Sequence, residues 1–550
     1  MQHDVTSLRN RRADQRWNRV CIGDIFERLA CSEDERTVLT GDDGAYENPD
    51  HKNLSASKAD QLANQFANAV LSSGIKAGSI VMMFCENSVE VMIAKVGLAK
   101  IGVTVAPVNP HLSIDVIESL LDLCNPAAAI VDTDFYAKVS PCLEQRGIGI
   151  LANIHIQTPL AVGQKSFSDF IASQDKSEPQ VTVHGDDIWQ ILFTSGSTAT
   201  PKGVMLSHSS TTIAALSLCA TMARGLETEQ DTVLGYFLPV AYHVGDTLIY
   251  TALLSRARAV IGRRFDAGKL ARAIDREKVT AIWAGSPHSL KNLIDEFEKD
   301  PSLSGNSIHN VLFGWAPMAN ELYVKAKEVF NPKAHFLETF AMTEIVAGHT
   351  FSLYKNTELF QRTTPRSNYV GVANPIMGTF IMDSNGNKVG AHQKDVGEVV
   401  YRSPVLMAGY YRQPEATQAA LEGGWFRGGD ACQWGENLQK ILVDRFKDVI
   451  KTGGENVSSI RVEAVMMQHP AIDKAAVIGV QDARWGEAVT GMAVLRSNQT
   501  VTEKDLIAFC KTHLAAFEVP KRVVFLDALP ESLGGKVQKH KLRVLMQAAG

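Results

Sequence analysis

The sequence predicts a multidomain α/β protein, on three observations. Its 550 residues are several times a typical domain of ~150 residues, so the chain must bury more than one core. Hydrophobic residues make up 45% and charged residues 21%, a balance that excludes disorder, collagen and coiled coil as the main architecture. From Ser57 onward, helical periods alternate with short β-branched runs, which is the pattern of βαβ units.

The elements follow in order. The first residues set Arg9, Arg11, Arg12 and Arg16 beside Asp4 and Asp14 with no apolar stretch behind them, so they read as a flexible leader and not a secretory signal. Residues 59–71 carry a helical period, and residues 80–84 and 103–108 are β-branched strands. Alternation resumes after Ile188, where residues 191–193 form a buried strand, and continues through Val260, Ile282 and residues 311–313; it implies a second sheet region. Around Glu398 the texture shifts to short strands and turns, with Asn385-Gly386 and then Gly409, Gly423, Gly424, Gly428 and Gly429. A third, strand-rich piece is expected there. Beyond the charged cluster Asp444, Arg445, Lys447 and Asp448, residues 461–468 and 503–514 have helical periods, and residues 475–480 and 523–526 read as strands. A small C-terminal domain joined at a polar hinge accounts for them.

Several function classes drop out. The net charge of −5 and the lack of a long basic stripe leave no electrostatic footprint for nucleic acid. Eight scattered cysteines without a CxxC pair suggest neither a disulfide framework nor a zinc cage, and fit a cytoplasmic location. The richest apolar stretch, residues 80–108, is broken by Glu86, Asn87, Glu90, Lys95 and Lys100, so no transmembrane segment is expected. The terminal Ala548-Ala549-Gly550 is no peroxisomal tail signal.

Chemistry gathers in one loop: Thr194, Ser195, Gly196, Ser197, Thr198, Ala199, Thr200, Pro201, Lys202, Gly203. Backbone N–H groups, hydroxyls and one ammonium in such a loop can surround phosphate oxygens. A Walker loop needs Gly before the Lys, Ser or Thr after it, and a following helix. Here Pro201 precedes Lys202, Gly203 follows, and residues 204–206 read as a strand, so the nucleoside-triphosphatase reading fails.

This loop resembles the signature of the adenylate-forming superfamily, acyl-CoA synthetase branch. Four further segments stand in that family's order: LETFAMTE at 337–344, GWFRGGD at 424–430, DRFKD through TGGEN at 444–456, and PESLGGKVQK at 530–539. The resemblance implies a large N-terminal domain, 1–445, of two α/β sheet subdomains plus a small β-barrel-like subdomain, and a small mobile α+β C-terminal domain, 446–550. The implied activity is an ATP-dependent acid–CoA ligase that makes an acyl adenylate, releases pyrophosphate and passes the acyl group to CoA. ATP, Mg²⁺, CoA and a carboxylic acid are the implied cofactors and partners, with a homodimer as candidate assembly.

Site residues carried over by that resemblance are as follows. Lys536, on the glycine loop Gly534-Gly535, is the expected catalytic lysine that bridges acyl carboxylate and α-phosphate; Lys202 and Thr343 join it, and Glu344 is the expected Mg²⁺ ligand. Thr194, Ser195, Gly196, Ser197 and Thr198 surround phosphate. Gly314, Ala316 and Pro317, with Glu338, Thr339, Phe340, Ala341 and Met342, hold the adenine, while Asp430 and Arg445 hold ribose or phosphate. Tyr242, His243, Trp315 and Ala341 line the acyl pocket. Lys447 is the hinge, and Gly453 and Gly454 line the CoA tunnel. Ala199, Phe340, Ala341 and Gly428 depart from the family's usual glycine, tyrosine, glycine and threonine. The small Ala341 argues for an acid longer than acetate, with medium or long acyl chains ahead of aryl and alicyclic acids. Rival readings are an acyl- or aryl-AMP ligase that loads a free-standing carrier protein, and a degenerate nucleotide-binding scaffold.

Overall fold

The computed structural model describes residues 19–33, 35–194, 201–223, 231–239, 241–364, 367–453, 455–531 and 537–548. Three sheets organise these residues. The first has seven strands in the order Gly409–Tyr410, Lys202–Ser207, Ile188–Thr194, Thr104–Pro107, Ile80–Phe84, Ala128–Asp132 and Gly149–Ile154. Its last five strands run parallel, which requires helical crossovers. The helix Val89–Lys100 is one of these, and every residue of it is buried. A helix apolar nearly all round belongs between layers, and its two lysines persist there through ion pairs: Lys95 with Asp246 at 2.5 Å, and Lys100 with Glu178 at 2.5 Å and Asp60 at 2.9 Å.

The second sheet has thirteen strands. Thr37–Gly41, Arg258–Ile261, Val233–Tyr236, Ala281–Trp283, Asn310–Phe313 and His335–Met342 run parallel. From Ile345–Ser352 onward the ladder turns antiparallel through Asn368–Ala373, Lys440–Arg445, Phe426–Trp434, Gly397–Arg402 and Gly378–Met382. The strand-rich piece is thus hydrogen-bonded onto the α/β sheet. A third sheet of five strands follows residue 449, built around the pair Ile472–Asp482 and Gly486–Leu495, with the helices Ser459–Met466 and Glu503–Lys511 beside it.

One expectation changes. Residues 188–194 do not open the second sheet; they pair with Thr104–Pro107 in the first. Parallel strands find neighbours through crossovers, so adjacency in sequence does not decide sheet membership. Arg19 is buried, with Nη2 2.6 Å from Asp24, and Cys21 and Ile22 enter the core. Arg9, Arg11, Arg12 and Arg16 lie outside the described residues.

The two larger sheets bring the carboxyl ends of their strands toward one region, where ligands of open α/β sheets bind. There Arg263, after one strand of the second sheet, reaches Glu86 at 3.0 Å and Asp132 at 2.9 Å in the first. The third sheet is tied to the strand that precedes it by Asp444. Its Oδ2 accepts from the Ser459 amide at 2.7 Å and hydroxyl at 2.5 Å, and the Lys539 ammonium pairs with Glu463 at 2.7 Å.

Candidate active site

The site starts from a two-residue hairpin turn. Met342 pairs with Ile345 across the strands His335–Met342 and Ile345–Ser352, so Thr343 and Glu344 form the turn itself, and Thr343 caps no helix. A two-residue loop holds its residues rigidly at the strand ends. The Glu344 carbonyl accepts from the Met407 amide at 3.0 Å, and its Oε1 accepts from the Tyr410 hydroxyl at 2.9 Å. The Lys202 ammonium sits 4.4 Å from the Tyr410 ring centroid, a cation–π distance. One tyrosine therefore stands between the signature loop's cation and the candidate metal ligand. Burial, then the Glu344 charge, pushes the Tyr410 phenol above its ordinary range, so it remains a donor to the carboxylate.

Asp430 and Arg445 oppose each other across antiparallel strands, with Arg445 Nε 3.2 Å from Asp430 Oδ1. Asp430 is buried and Arg445 is half-buried; the pair thus presents one fixed carboxylate and one partly free guanidinium. Its charge reaches Tyr410, where it opposes the upward push on the phenol. Gly428 faces the end of the Met342 side chain, whose Cε would lie 2.7 Å from a Cβ there.

Glu338 lies on the same strand as the turn, paired with Phe313 on one side and Phe351 on the other. Burial pushes its carboxyl up to about 8, so near neutral pH it is a protonated acid with one donor and one acceptor. Thr339 is buried, and Phe340, Ala341 and Met342 are half-buried. The Phe340 ring centroid is 6.0 Å from that of His349. Gly314 packs against this strand, since a Cβ on it would fall 2.6 Å from the Thr339 carbonyl oxygen. Ala316 and Pro317 follow on the same loop, half-buried.

His243 opens the helix His243–Leu254, with Tyr242 at the N-cap. Its Nδ1 is 3.0 Å from the Thr343 carbonyl, which can only accept, so Nδ1 carries the proton. Burial pulls the imidazole down to about 4, leaving it neutral with its lone pair on Nε2. Tyr242 meets Trp315 edge to face at 6.0 Å. Trp315 stands in the left-handed region at φ 68°, a strained backbone for a bulky residue.

The geometry thus joins Lys202 with Glu344, Asp430 with Arg445, His243 with Thr343, and Tyr242 with Trp315. Thr194 ends its strand, half-buried. Gly453 sits in the turn between Ile450–Thr452 and Glu455–Val457 at φ 58°, and Lys447 is exposed beside Arg543, whose guanidinium reaches Asp448 at 2.7 Å. Ser195, Gly196, Ser197, Thr198, Gly454 and Lys536 lie outside the described residues.

A family model described as AMP-binding enzyme matches residues 27–411, and one described as AMP-binding enzyme C-terminal domain matches residues 461–536. The chain belongs to the AMP-binding enzyme family. It is 30% identical over 485 residues to the long-chain-fatty-acid–CoA ligase FadD13 of Mycobacterium tuberculosis, covering 88% of this chain and 91% of that one. With the peroxisomal acetate/butyrate–CoA ligase AAE7 of Arabidopsis thaliana it shares 29% over 520 residues, or 88% and 89% of the two chains. Among solved structures, the anthranilate CoA ligase AuaEII in complex with anthranoyl-AMP superposes with a TM-score of 0.84 at 21% identity over 96% of this chain and 98% of that one; that likeness concerns the fold. As an AMP-binding enzyme related over most of its length to CoA ligases, the chain is an acid–thiol ligase.

Sequence reasoning missed three residues beside the candidate site. Tyr410 follows Gly409, which was read only as punctuation, and its link to Glu344 spans 66 residues. Trp283, at the end of a short strand, contacts Trp315 edge to face at 5.8 Å. Asp246, one turn beyond His243, forms the fully buried pair with Lys95. Nothing local in the sequence marks these contacts, because each joins segments that meet only through the sheets. Among the described residues, the one carboxylate cluster spaced for a cation is Asp24, Glu27 and Glu178, and Arg19, Arg28 and Lys100 already neutralise it.

Proposed function

We propose that this ligase joins an apolar carboxylic acid larger than acetate to CoA by way of its acyl adenylate. The observation that carries the reading is Tyr410, bonded to Glu344 and faced by Lys202. It places a cation and a hard carboxylate around one point, as phosphoryl chemistry between anions requires.

In the first half-reaction a carboxylate oxygen bonds to the α-phosphorus while its bond to the pyrophosphate oxygen breaks. Lys202 stabilises charge on the phosphate oxygens, and Lys536, carried from the opposite domain, bridges the attacking carboxylate and the α-phosphate. Glu344 with phosphate oxygens and waters suits Mg²⁺, which takes few protein carboxylates; the bound ion would neutralise charge on the departing pyrophosphate. Asp430 accepts the ribose hydroxyls, and Arg445, held by Asp430, turns its free edge to ribose or phosphate. Protonated Glu338 offers its donor and acceptor to the adenine edge beside Gly314, Ala316 and Pro317.

In the second half-reaction the CoA sulfur bonds to the acyl carbon and AMP leaves. The reading divides the chain at 445/446, with Lys447 as hinge and Gly453 and Gly454 along the pantetheine path. His243, fixed with Nε2 as an acceptor, cannot donate from that atom to a carboxylate, so it serves as a wall of the acyl entrance. Ala341 leaves room for medium or long acyl chains. The aromatic faces of Tyr242, Trp283 and Trp315 favour a second reading, a ring-bearing acid. All eight cysteines are free, and no helix among the described residues is long and apolar enough to cross a membrane; both suit a reaction in the cytoplasm. Acid-dependent exchange of pyrophosphate into ATP, followed by acid-dependent consumption of CoA, tests the reading. Exchange without CoA consumption would move the acceptor to a carrier protein, and no exchange with any acid would leave a nucleotide-binding scaffold.

A further inference from the structure

Three rings meet nearly at right angles beside His243. Trp315 lies 6.0 Å from Tyr242 at an interplanar angle of 69°, and 5.8 Å from Trp283 at 84°. Core packing accounts for Trp283, a member of the main apolar cluster, but not for Trp315. Trp315 is 38% exposed and holds a left-handed backbone at φ 68°, which costs a bulky residue of order 1–3 kcal/mol. Gly285 lies close beneath it: a Cβ there would be 3.3 Å from the Trp315 ring. Strain kept to present an exposed aromatic face is a mark of a binding wall.

Trp283 adds a polar demand. Its side chain is 96% buried, and its indole nitrogen finds no acceptor among the described residues. A buried donor left without a partner costs ~1–3 kcal/mol, and buried indoles ordinarily find one. The other nitrogen left without a partner in this neighbourhood, His243 Nε2, is an acceptor, so the two cannot be satisfied by the same kind of group.

We propose that Trp283 is a specificity determinant whose indole N–H takes a hydrogen-bond acceptor on the ring of an aryl carboxylic acid, with that ring packed against Trp315 and Tyr242. This rests on the reading that Tyr242, His243 and Trp315 wall the acyl site. A site built around a donor rejects an analogue that lacks the acceptor, because the donor is then left buried and unpaired.

The test uses the full chain and pairs of near-isosteric acids scored by pyrophosphate release: 4-methoxybenzoate against 4-ethylbenzoate, 4-methoxycinnamate against 4-ethylcinnamate, and a ten-atom ether acid against decanoate. The expected result is a kcat/KM at least ~10-fold higher for the methoxy member of an aryl pair. Trp283→Phe keeps a ring but removes the N–H; it should erase that preference, bringing the methoxy and ethyl members of each aryl pair within about 2-fold of each other whatever the overall rate. Equal rates within both aryl pairs, or an aryl preference that survives Trp283→Phe, overturns the proposal. So does a preference confined to the alkyl pair, which would move the acceptor onto a flexible chain. If none of the acids supports pyrophosphate release, the ligase reading of the site fails as well; release without discrimination sinks the role of Trp283 alone. The wild-type ratios need no variant, so a misfolded Trp283→Phe does not remove the test.

Discussion

Tyr410 donates a 2.9 Å hydrogen bond to Glu344, and the face of the same ring is turned to Lys202 at 4.4 Å. The phenol therefore orients the carboxylate through its edge and positions the ammonium through its π-face, so one side chain couples two groups that lie 142 positions apart in sequence.

Removing only the hydroxyl separates these two tasks. A hydrogen bond to a charged group contributes ~1.5–3 kcal/mol, so Tyr410→Phe should slow acid-dependent pyrophosphate exchange by ~10–100-fold and raise the Mg²⁺ concentration needed for half-maximal rate. Tyr410→Leu, which also loses the ring, should fall further. A Mg²⁺ titration of the exchange rate in the three proteins is the check, and an unchanged titration in Tyr410→Phe would deny the orienting role.

Glu338 predicts a pH dependence. An ordinary glutamate ionises near 4.5, and this one is held up to about 8. Between those values the folded chain keeps a proton that the unfolded chain has released, so this residue's contribution to stability falls as pH rises across that window and is fully unfavourable above about 8. ATP binding should weaken over the upper part of the same range, as the carboxyl loses its donor. Glu338→Gln should flatten both profiles; urea midpoints and KM for ATP from pH 6 to 9 measure them.

The Lys95–Asp246 pair is closed on all sides, at 0% exposure for both side chains. Lys95→Met should destabilise the chain by ~3–5 kcal/mol, since it leaves a buried carboxylate uncompensated. The double variant Lys95→Met, Asp246→Leu should recover most of that loss. Urea denaturation of the single and double variants decides between this and a simple cavity effect, which the second substitution would not reverse.

Lys536 yields a split between half-reactions. Lys536→Ala should nearly abolish acyl-adenylate formation and spare thioester formation from supplied acyl adenylate. Parallel assays of pyrophosphate exchange and of CoA acylation would show it, and equal loss in both would refute the assigned role.

How far the sequence reached is plain from particular residues. Glu344, Asp430 and Lys202 stand out in the sequence because their neighbours form short ordered motifs, and the strands at 80–84, 260, 282 and 311–313 were visible because buried parallel strands are continuous apolar runs. The strand 188–194 was found but given to the wrong sheet, for a crossover leaves no trace in the strand itself. Only the pairing of Met342 with Ile345 shows that Thr343 and Glu344 form a hairpin turn. Trp283 and Asp246 passed as ordinary core and helix residues.

The sequence by itself determined the class of protein and the order of its motifs, because backbone periodicity and short glycine-bearing loops are local properties. Tertiary structure alone decided which charges share a side chain between them, that Glu338 is protonated, that His243 is locked by the Thr343 carbonyl, and that three aromatic rings from separate segments form one corner. Those outcomes depend on burial and on distances between strands and loops far apart in the chain, and such quantities come into being when the sheets assemble.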